Sequence, residues 1–116
     1  MYTIASMNVK SRIWIEVDDA PFLGYGRVML LKEVDKSHSM SAAAKSLNMS
    51  YKKAWRLLNE INDAAKKPIL EKKIGGKHGG GTCITPYGKD LIQRFEKLNE
   101  ACIAFLEKEF KNWESC

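Results

Sequence analysis

The hydrophobic positions of the chain first alternate with polar ones and then change to the period of a helix. In "SRIWIEV", branched apolar residues face one side and a tryptophan and a glutamate face the other, which predicts a half-buried strand. The next stretch, "DDAPFLGYG", breaks the alternation. "RVMLLKEVDKSH" then spaces its apolar residues by three, so it predicts a first helix. The apolar positions are Ile13, Ile15 and Val17 in the strand and Val28, Leu31 and Val34 in the helix.

Two further helical patterns follow with only a short turn between them. Ser39 is suited to cap a second helix, whose stripe of methionine, alanine and leucine is narrow enough for close approach to its neighbours. Asn48 is a good helix terminator and Ser50 a good N-cap, so a third helix is predicted from about residue 51 to residue 65. Two helices across a three-residue turn indicate a helix-turn-helix.

The third helix has one apolar face and one basic face at about 100° per residue. Three cations on the exposed face of its first two turns are unfavourable beside the positive helix end unless an anion binds there. A solvated basic face is the alternative. Trp55 lies near the boundary between the faces and is predicted to pack rather than to stack on bases. The core-facing set is Ala54, Leu58, Ile61 and Ala65, bordered by Tyr51 and Leu57, and the exposed set is Lys52, Lys53, Arg56 and Asn59.

A glycine-rich segment separates two short strand patterns, "PILEKKI" and "TCIT". Five glycines fall within residues 75–81, interrupted only by Lys77 and His78. Glycine loses more conformational entropy on folding than any other residue, so such a loop is expected to have a role. A nucleotide-binding loop is excluded, because Glu71 stands where its first glycine belongs and His78 follows the lysine. Three helices followed by this hairpin predict a winged helix with the glycine stretch as the wing, although an idle loop is the alternative.

The final segment predicts one long helix over residues 86–113. Thr85 is suited to cap it, and Pro86 fits its first position. At 1.5 Å per residue it would extend about 42 Å, which is longer than one small domain can cover. Its apolar residues alternate by four and three, the seam of a coiled-coil pair, so a homodimer is predicted, and packing on the parent domain is the alternative. The seam residues are Leu91, Phe95, Leu98, Cys102 and Phe105.

Length and charge distribution indicate a single domain with one basic region. The 116 residues suit a single domain, residues 1–116. The net charge is +5, but residues 45–89 alone hold ten basic and three acidic side chains. Such a block is expected of a surface that binds a polyanion, and a scattered solvated surface is the alternative. No run of about 18 apolar residues occurs, so no membrane association is signalled and a cytoplasmic protein is expected.

Catalytic and metal-binding patterns are missing from the sequence. The three cysteines form no CxxC, which fits reduced thiols, and His38 and His78 lack metal-ligand spacing with any of them. No carboxylate pair and no nucleophile with a neighbouring base can be identified. We therefore expect neither an enzyme, nor a metal, nor a cofactor.

The patterns together resemble a known family of regulators. "FLGYGRVMLLKEVDKSHSMSAAAKSLNMSYKKAW", with "AAKSLNMSYKKAW" as its most specific part, and "PILEKKIGGKHGGGTCITPYG" resemble the N-terminal DNA-binding domain of the molybdate-responsive ModE-type transcription regulators, a winged-helix group with LysR-like features. The resemblance implies a dimeric regulator whose third helix contacts operator DNA. Such regulators usually carry a C-terminal pair of oxyanion-binding barrels, whereas this sequence ends at Cys116, so molybdate is not expected as a partner.

The predicted fold is thus mainly α with a small antiparallel sheet, a winged helix-turn-helix plus a long C-terminal dimerisation helix, and the predicted partners are double-stranded DNA and a second copy of the chain. The alternatives are a winged-helix protein-interaction module and a small-anion or redox-responsive regulator with a cavity near Cys102. Base contacts convey sequence, whereas phosphate contacts set register and affinity. The predicted base-contacting residues are Ser50, Tyr51, Lys52, Lys53 and Arg56, and the predicted backbone-contacting residues are Lys45, Lys72, Lys73, Lys77, His78 and Thr82.

Overall fold

The computed structural model describes residues 6–73 and 81–114 of the chain. The predicted fold class, mainly helical with small antiparallel sheets and a long last helix, is confirmed. In chain order the elements are β1 (Trp14–Val17), β2 (Ala20–Gly24), α1 (Tyr25–Ser37), α2 (Met40–Ser46), α3 (Tyr51–Ala64), β3 (Leu70–Lys73), β4 (Gly81–Ile84) and α4 (Pro86–Glu114).

The first hairpin, β1–β2, adds a strand that the sequence pattern did not indicate. Val17 pairs with Ala20, so only Asp18 and Asp19 form the turn, and both have positive φ, 51° and 65°. Two positive φ values define the hairpin turn whose twist matches that of the flanking strands, and aspartate tolerates this conformation. The register shifts between Ile15 and Glu16, and this irregularity explains why β2 lacks the alternation that marks β1.

Side-chain caps fix the limits of the helix-turn-helix as predicted. The Ser39 hydroxyl accepts a hydrogen bond from Ala42 N, and the Ser50 hydroxyl accepts one from Lys53 N, both at 3.1 Å. Asn48 takes a left-handed conformation with φ of 57°, which prevents α2 from continuing. Because the caps leave only residues 47–50 between α2 and α3, the two helices are held in a tight corner.

One hydrophobic core joins the helices to the second hairpin, β3–β4. Its fully buried side chains come from α1, α2, α3 and the residue that precedes β3, Ile69. The predicted core positions of α3, Ala54, Leu58 and Ile61, are confirmed as buried. The largest fully buried side chains are Leu30, Leu31, Val34, Leu58, Ile61 and Ile69.

The first turns of α4 belong to this core, which corrects part of the predicted dimer seam. Phe95 is only 5% exposed and is not open to a second copy, and Leu91 is partly buried against the core. At 1.5 Å per residue α4 extends about 43 Å. Its distal half, taken as residues 98–114, leaves the core, and Leu98 and Phe105 in it are 49% and 61% exposed. Partly buried Cys102 lies between them, with its Sγ 3.9 Å from the Ser11 hydroxyl.

Two glycines are required where backbones approach closely. A Cβ at Gly81 would lie 2.8 Å from the carbonyl oxygen of His38, and one at Gly88 would lie 2.9 Å from that of Ile69. Gly81 is therefore a strand residue needed for packing, rather than part of a flexible loop. At Gly88 the contact holds the start of α4 against the second hairpin, together with the Thr85 hydroxyl, which donates to Pro68 O and accepts from Gly88 N.

Substitution of Gly88 by alanine is expected to destabilise the fold by about 1–3 kcal/mol, because Ile69 and its backbone must move. Urea unfolding measures this difference. Gly26→Ala in α1 is the matched control, since a Cβ there meets nothing within 4 Å, and its stability should equal or exceed that of the wild type. Equal stability of the Gly88→Ala variant and the wild type would show that this contact is not required.

Candidate nucleic-acid interface

The exposed face of α3 holds the side chains that the sequence assigned to base contacts. Tyr51, Lys52, Lys53 and Arg56 are all exposed. Ser50 is also exposed but is engaged as the N-cap, so its hydroxyl proton remains for an outside acceptor. The Asn59 amide donates to Trp55 O at 2.7 Å, so it is occupied within the helix. The predicted basic face therefore exists as a surface on the first two turns of α3.

A groove joins this face to the second hairpin. It has a volume of about 450 Å³ and lies between the start of α2, the start of α3 and the hairpin strands. Tyr51 and Trp55 of α3 share it with Lys72 and Lys73 of β3. A neighbouring depression of about 380 Å³ joins Tyr51 to Lys45. Lysines from α2 and β3 are thus brought beside the start of α3.

Trp55 differs from the sequence-based prediction. It is 49% exposed and lines the groove, whereas it was expected to be a packing residue. Its position on the helix lies beside Tyr51, outside the buried arc of Ala54, Leu58 and Ile61. An exposed indole beside lysines offers a flat apolar surface to a ligand, which a purely structural tryptophan would not.

The predicted phosphate contacts of the second hairpin are only partly described. Thr82 is 7% exposed, and its backbone N–H donates to His38 O at 3.0 Å, so its hydroxyl presents little surface to a phosphate. This corrects the expectation that Thr82 stands beside the wing as an accessible donor. Lys77 and His78 lie outside the described residues, and their predicted roles stay predictions.

An ion-pair chain that the sequence reasoning missed crosses the exposed face of α3. Glu60 accepts from Arg56 at 2.9 Å and from Arg27 of α1 at 2.8 Å. The hydrogen bond from Arg27, followed by that from Arg56, holds the pKa of Glu60 below its usual value. The four-residue spacing of Arg56 and Glu60 could have indicated their pair, but no sequence signal links Glu60 to Arg27.

Most cations around the start of α3 lack a carboxylate partner among the described residues. Within residues 6–73 and 81–114, Lys45, Lys52, Lys53, Lys72 and Lys73 form no ion pair, and all five are exposed. The ion pairs outside α3 are Lys32–Glu96, Lys89–Asp35 and Arg94–Asp90, and the hydrogen bond from Glu96 raises the pKa of Lys32. The unpaired lysines of α2, α3 and β3 therefore form one positively charged surface.

The described part of the chain shows neither a metal-binding cluster nor a membrane-spanning helix. No three histidine, cysteine, aspartate or glutamate side chains there come close enough to hold a metal ion. None of its helices combines the length and apolarity needed to span a bilayer. Cys83 and Cys102 are free thiols.

The helix-turn-helix followed by an antiparallel hairpin defines a winged-helix protein. No protein-family model matches the sequence. The chain is 40% identical over 91 residues to the transcriptional regulator ModE of Haemophilus influenzae, which covers 78% of this chain and 36% of that protein. It is 36% identical over 92 residues to the DNA-binding transcriptional dual regulator ModE of Escherichia coli, covering 79% and 35%, respectively.

A third relative is the molybdenum-pterin-binding protein MopB of Rhodobacter capsulatus, with 37% identity over 89 residues, 77% of this chain and 33% of that protein. The chain spans about a third of the length of the curated relatives it matches. Over the matched residues, nearly four fifths of its length, the chain belongs to the ModE-type transcription regulators.

Proposed function

We propose that the chain is a sequence-specific DNA-binding regulator of transcription that acts as a homodimer. The observation that supports this function best is the group of exposed lysines without ion-pair partners, drawn from α2, α3 and β3 and flanking the first turns of α3. Such charge is unfavourable in the free protein and is compensated when phosphates approach. The winged-helix fold and the regulators it matches agree with this function.

The proposed base contacts lie on the first two turns of α3, which enter the major groove. Arg56 or one of the lysines contacts guanine, whose O6 and N7 both accept hydrogen bonds. The hydroxyls of Ser50 and Tyr51 are further donors on the same turns. Glu60 fixes the direction of Arg56, since Arg27 holds the carboxylate from the other side.

The proposed phosphate contacts surround these turns. Lys45 approaches from α2, and Lys72 and Lys73 approach from β3. Lys77 and His78 lie outside the described residues, and their proposed phosphate contacts rest on the sequence alone. Contacts of this kind position the protein on the duplex and contribute affinity without conveying sequence. Trp55 and Tyr51 supply the apolar lining of the groove between the two groups.

The proposed dimer forms along the distal half of α4. Leu98 and Phe105 are seven residues apart and therefore lie on the same face of the helix. Both are large, exposed apolar side chains that are not part of the core of the protomer. A second copy of the helix would bury them by coiled-coil packing, with Cys102 between them. Two copies would then contact half-sites about 34 Å apart, or a multiple of that distance.

A protein-interaction module is the second candidate, because the exposed side chains of α4 also include Ile103 and Trp113. A mostly apolar interface would depend little on salt, whereas DNA binding would weaken steeply with it. The molybdenum pterin in the name of MopB is not transferred to this chain, because the match covers a third of that protein.

Selection of bound fragments from random duplex DNA tests the proposed function. We expect an inverted repeat to be enriched, since a symmetric dimer presents two equal faces. An Arg56→Ala variant selected in parallel is the control for base contacts and should enrich a less defined sequence. Recovery of unselected fragments by the wild-type protein, at the frequency of the starting pool, would contradict sequence-specific binding.

A further inference from the structure

A second cleft lies on the side of α3 that faces away from the second hairpin. It has a volume of about 420 Å³ and is bounded by the first hairpin, the start of α1 and the α3 residues Lys53 and Leu57. Trp14 forms part of its apolar wall. We refer to it as the hairpin cleft. It adjoins the predicted base-contacting face, because Lys53 belongs to both.

The charged side chains that line the hairpin cleft are all cations. Arg12, Arg27 and Lys53 line it, and none of the described residues that line it carries a carboxylate. The start of α1 adds to this charge, since the N-cap Gly24 offers no side-chain bond and the first turn contains no acidic residue. Three cations beside a positive helix end repel one another unless an anion lies between them.

The partners of the three cations show how much of this charge is available. Arg27 is largely committed, because its Nη2 donates to Glu60 and its side chain is 16% exposed. Its Nη1 is buried and has no acceptor among the described residues, which is uncommon for a buried donor. Arg12 and Lys53 are exposed, and no ion pair with another described residue engages either. The cleft is thus lined by two exposed cations without an ion pair to a described residue and by a third that is mostly buried.

Gly26 leaves the backbone at the bottom of the cleft uncovered. A Cβ at this position would meet nothing within 4 Å, so packing does not require glycine there. Glycine inside a helix reduces stability relative to alanine. Because it has no Cβ, it lets another group come close to the backbone, which would explain its presence here. The N–H groups of the first helical turn, which lack intrahelical acceptors, are open to such a group.

We propose that the hairpin cleft binds a phosphate of the DNA backbone, on the side of the major groove opposite to the second hairpin. This inference rests on the proposed function and extends its interface to the first hairpin. A backbone phosphate, rather than a free anion, is the occupant because Lys53 links the cleft to the face that contacts bases. The two hairpins then flank α3, with Lys72 and Lys73 on one side and Arg12 on the other.

Salt titrations of duplex binding by full-length variants test the cleft. Arg12→Ala should make the slope of log affinity against log salt shallower by about one unit per protomer, equally for the selected repeat and for unrelated duplex. Lys108→Ala is the matched control, because it removes one exposed positive charge from the distal half of α4, and its slope should equal that of the wild type. If Arg12→Ala bound duplex as tightly as the wild type and with the same salt slope, the proposed phosphate site in the hairpin cleft would be wrong. The proposed function would be unaffected by that result.

Gly26→Ala separates binding from folding. This variant should unfold at a urea midpoint equal to or above that of the wild type and yet bind duplex several-fold more weakly, because its methyl group covers the helix amides. Stability and affinity that are both unchanged would count against the cleft. A contrary outcome is that inorganic phosphate at constant ionic strength stabilises the wild type but not Arg12→Ala, while both proteins bind duplex alike. The cleft would then bind a small free anion, and the inference would be wrong.

Discussion

Replacement of Phe105 by glutamate is expected to weaken binding to an inverted repeat by about 100-fold or more, while binding to a single half-site stays nearly unchanged. Phe105 is 61% exposed and lies outside the core, so the protomer should fold normally. In the proposed dimer it sits in the helix seam, where a charge without a partner is costly to bury. Loss of the dimer removes the second half-site as an intramolecular contact, and this loss accounts for the effect. Sedimentation and titration with repeat and half-site duplexes measure both quantities.

Ala104→Glu is the matched control for this variant. It adds the same charge at an exposed position of the same helix, one residue before Phe105 and away from the seam. The control should remain dimeric and bind the inverted repeat as the wild type does. A Phe105→Glu protein that sediments like the wild type would show that the distal half of α4 does not hold the dimer together.

Substitution of Arg56 by alanine is expected to weaken binding to the selected repeat by about 10- to 100-fold and to relax the preference for one base pair in each half-site. Arg56 is exposed on the second turn of α3, and its guanidinium is oriented by Glu60 at 2.9 Å. A fixed fork of donors selects guanine better than a freely rotating cation does. Affinities for duplexes that differ by single base pairs measure the preference.

Lys72→Ala provides the comparison for Arg56→Ala. Lys72 lies on β3, beside but not part of the base-contacting turns, and should contact phosphate alone. Its loss should weaken all duplexes by the same factor and make the salt dependence shallower by about one unit per protomer. Identical base preferences for Arg56→Ala and the wild type would remove Arg56 from the base-contacting set.

Much of the fold could be predicted because local signals agree with the final structure. The caps at Ser39 and Ser50 and the apolar spacing of α3 are short-range features, and they placed the helix-turn-helix correctly. β2 was missed because adjacent Phe22 and Leu23 are both buried, so the strand does not alternate. Its turn is formed by two aspartates rather than by the Asn-Gly or Asp-Gly pairs that mark such turns most clearly.

The site was predictable where it depends on one helix and not where it depends on tertiary contacts. The angular positions of Lys52 and Arg56 follow from the helical period alone. The partner of Glu60 on α1, Arg27, is 33 residues away in sequence, and no periodicity indicates that contact. The burial of Phe95 has the same cause, because the spacing of the α4 seam does not show where the core of the protomer ends.

The ion pairs show why the basic surface is more than a consequence of composition. On α1 and α4, Lys32, Lys89 and Arg94 have carboxylate partners within 4 Å. Exposed pairs of this kind contribute little to stability, but they cancel charge locally. Lys36 and Lys97 on the same helices have no ion pair with a described residue, so single unpaired cations also occur away from the basic surface. The lysines around the start of α3 have no such partners in the described part of the chain, so their field extends into solvent, where it attracts a polyanion.

Equilibrium binding of the wild-type protein to the selected duplex, measured as a function of salt concentration, tests this electrostatic surface most directly. With 6–10 phosphate contacts per dimer, affinity should fall by about 10³–10⁵ between roughly 50 and 200 mM salt, and log affinity should be linear in log salt. An affinity that changed by less than about tenfold over the same range would contradict a DNA interface built from these lysines.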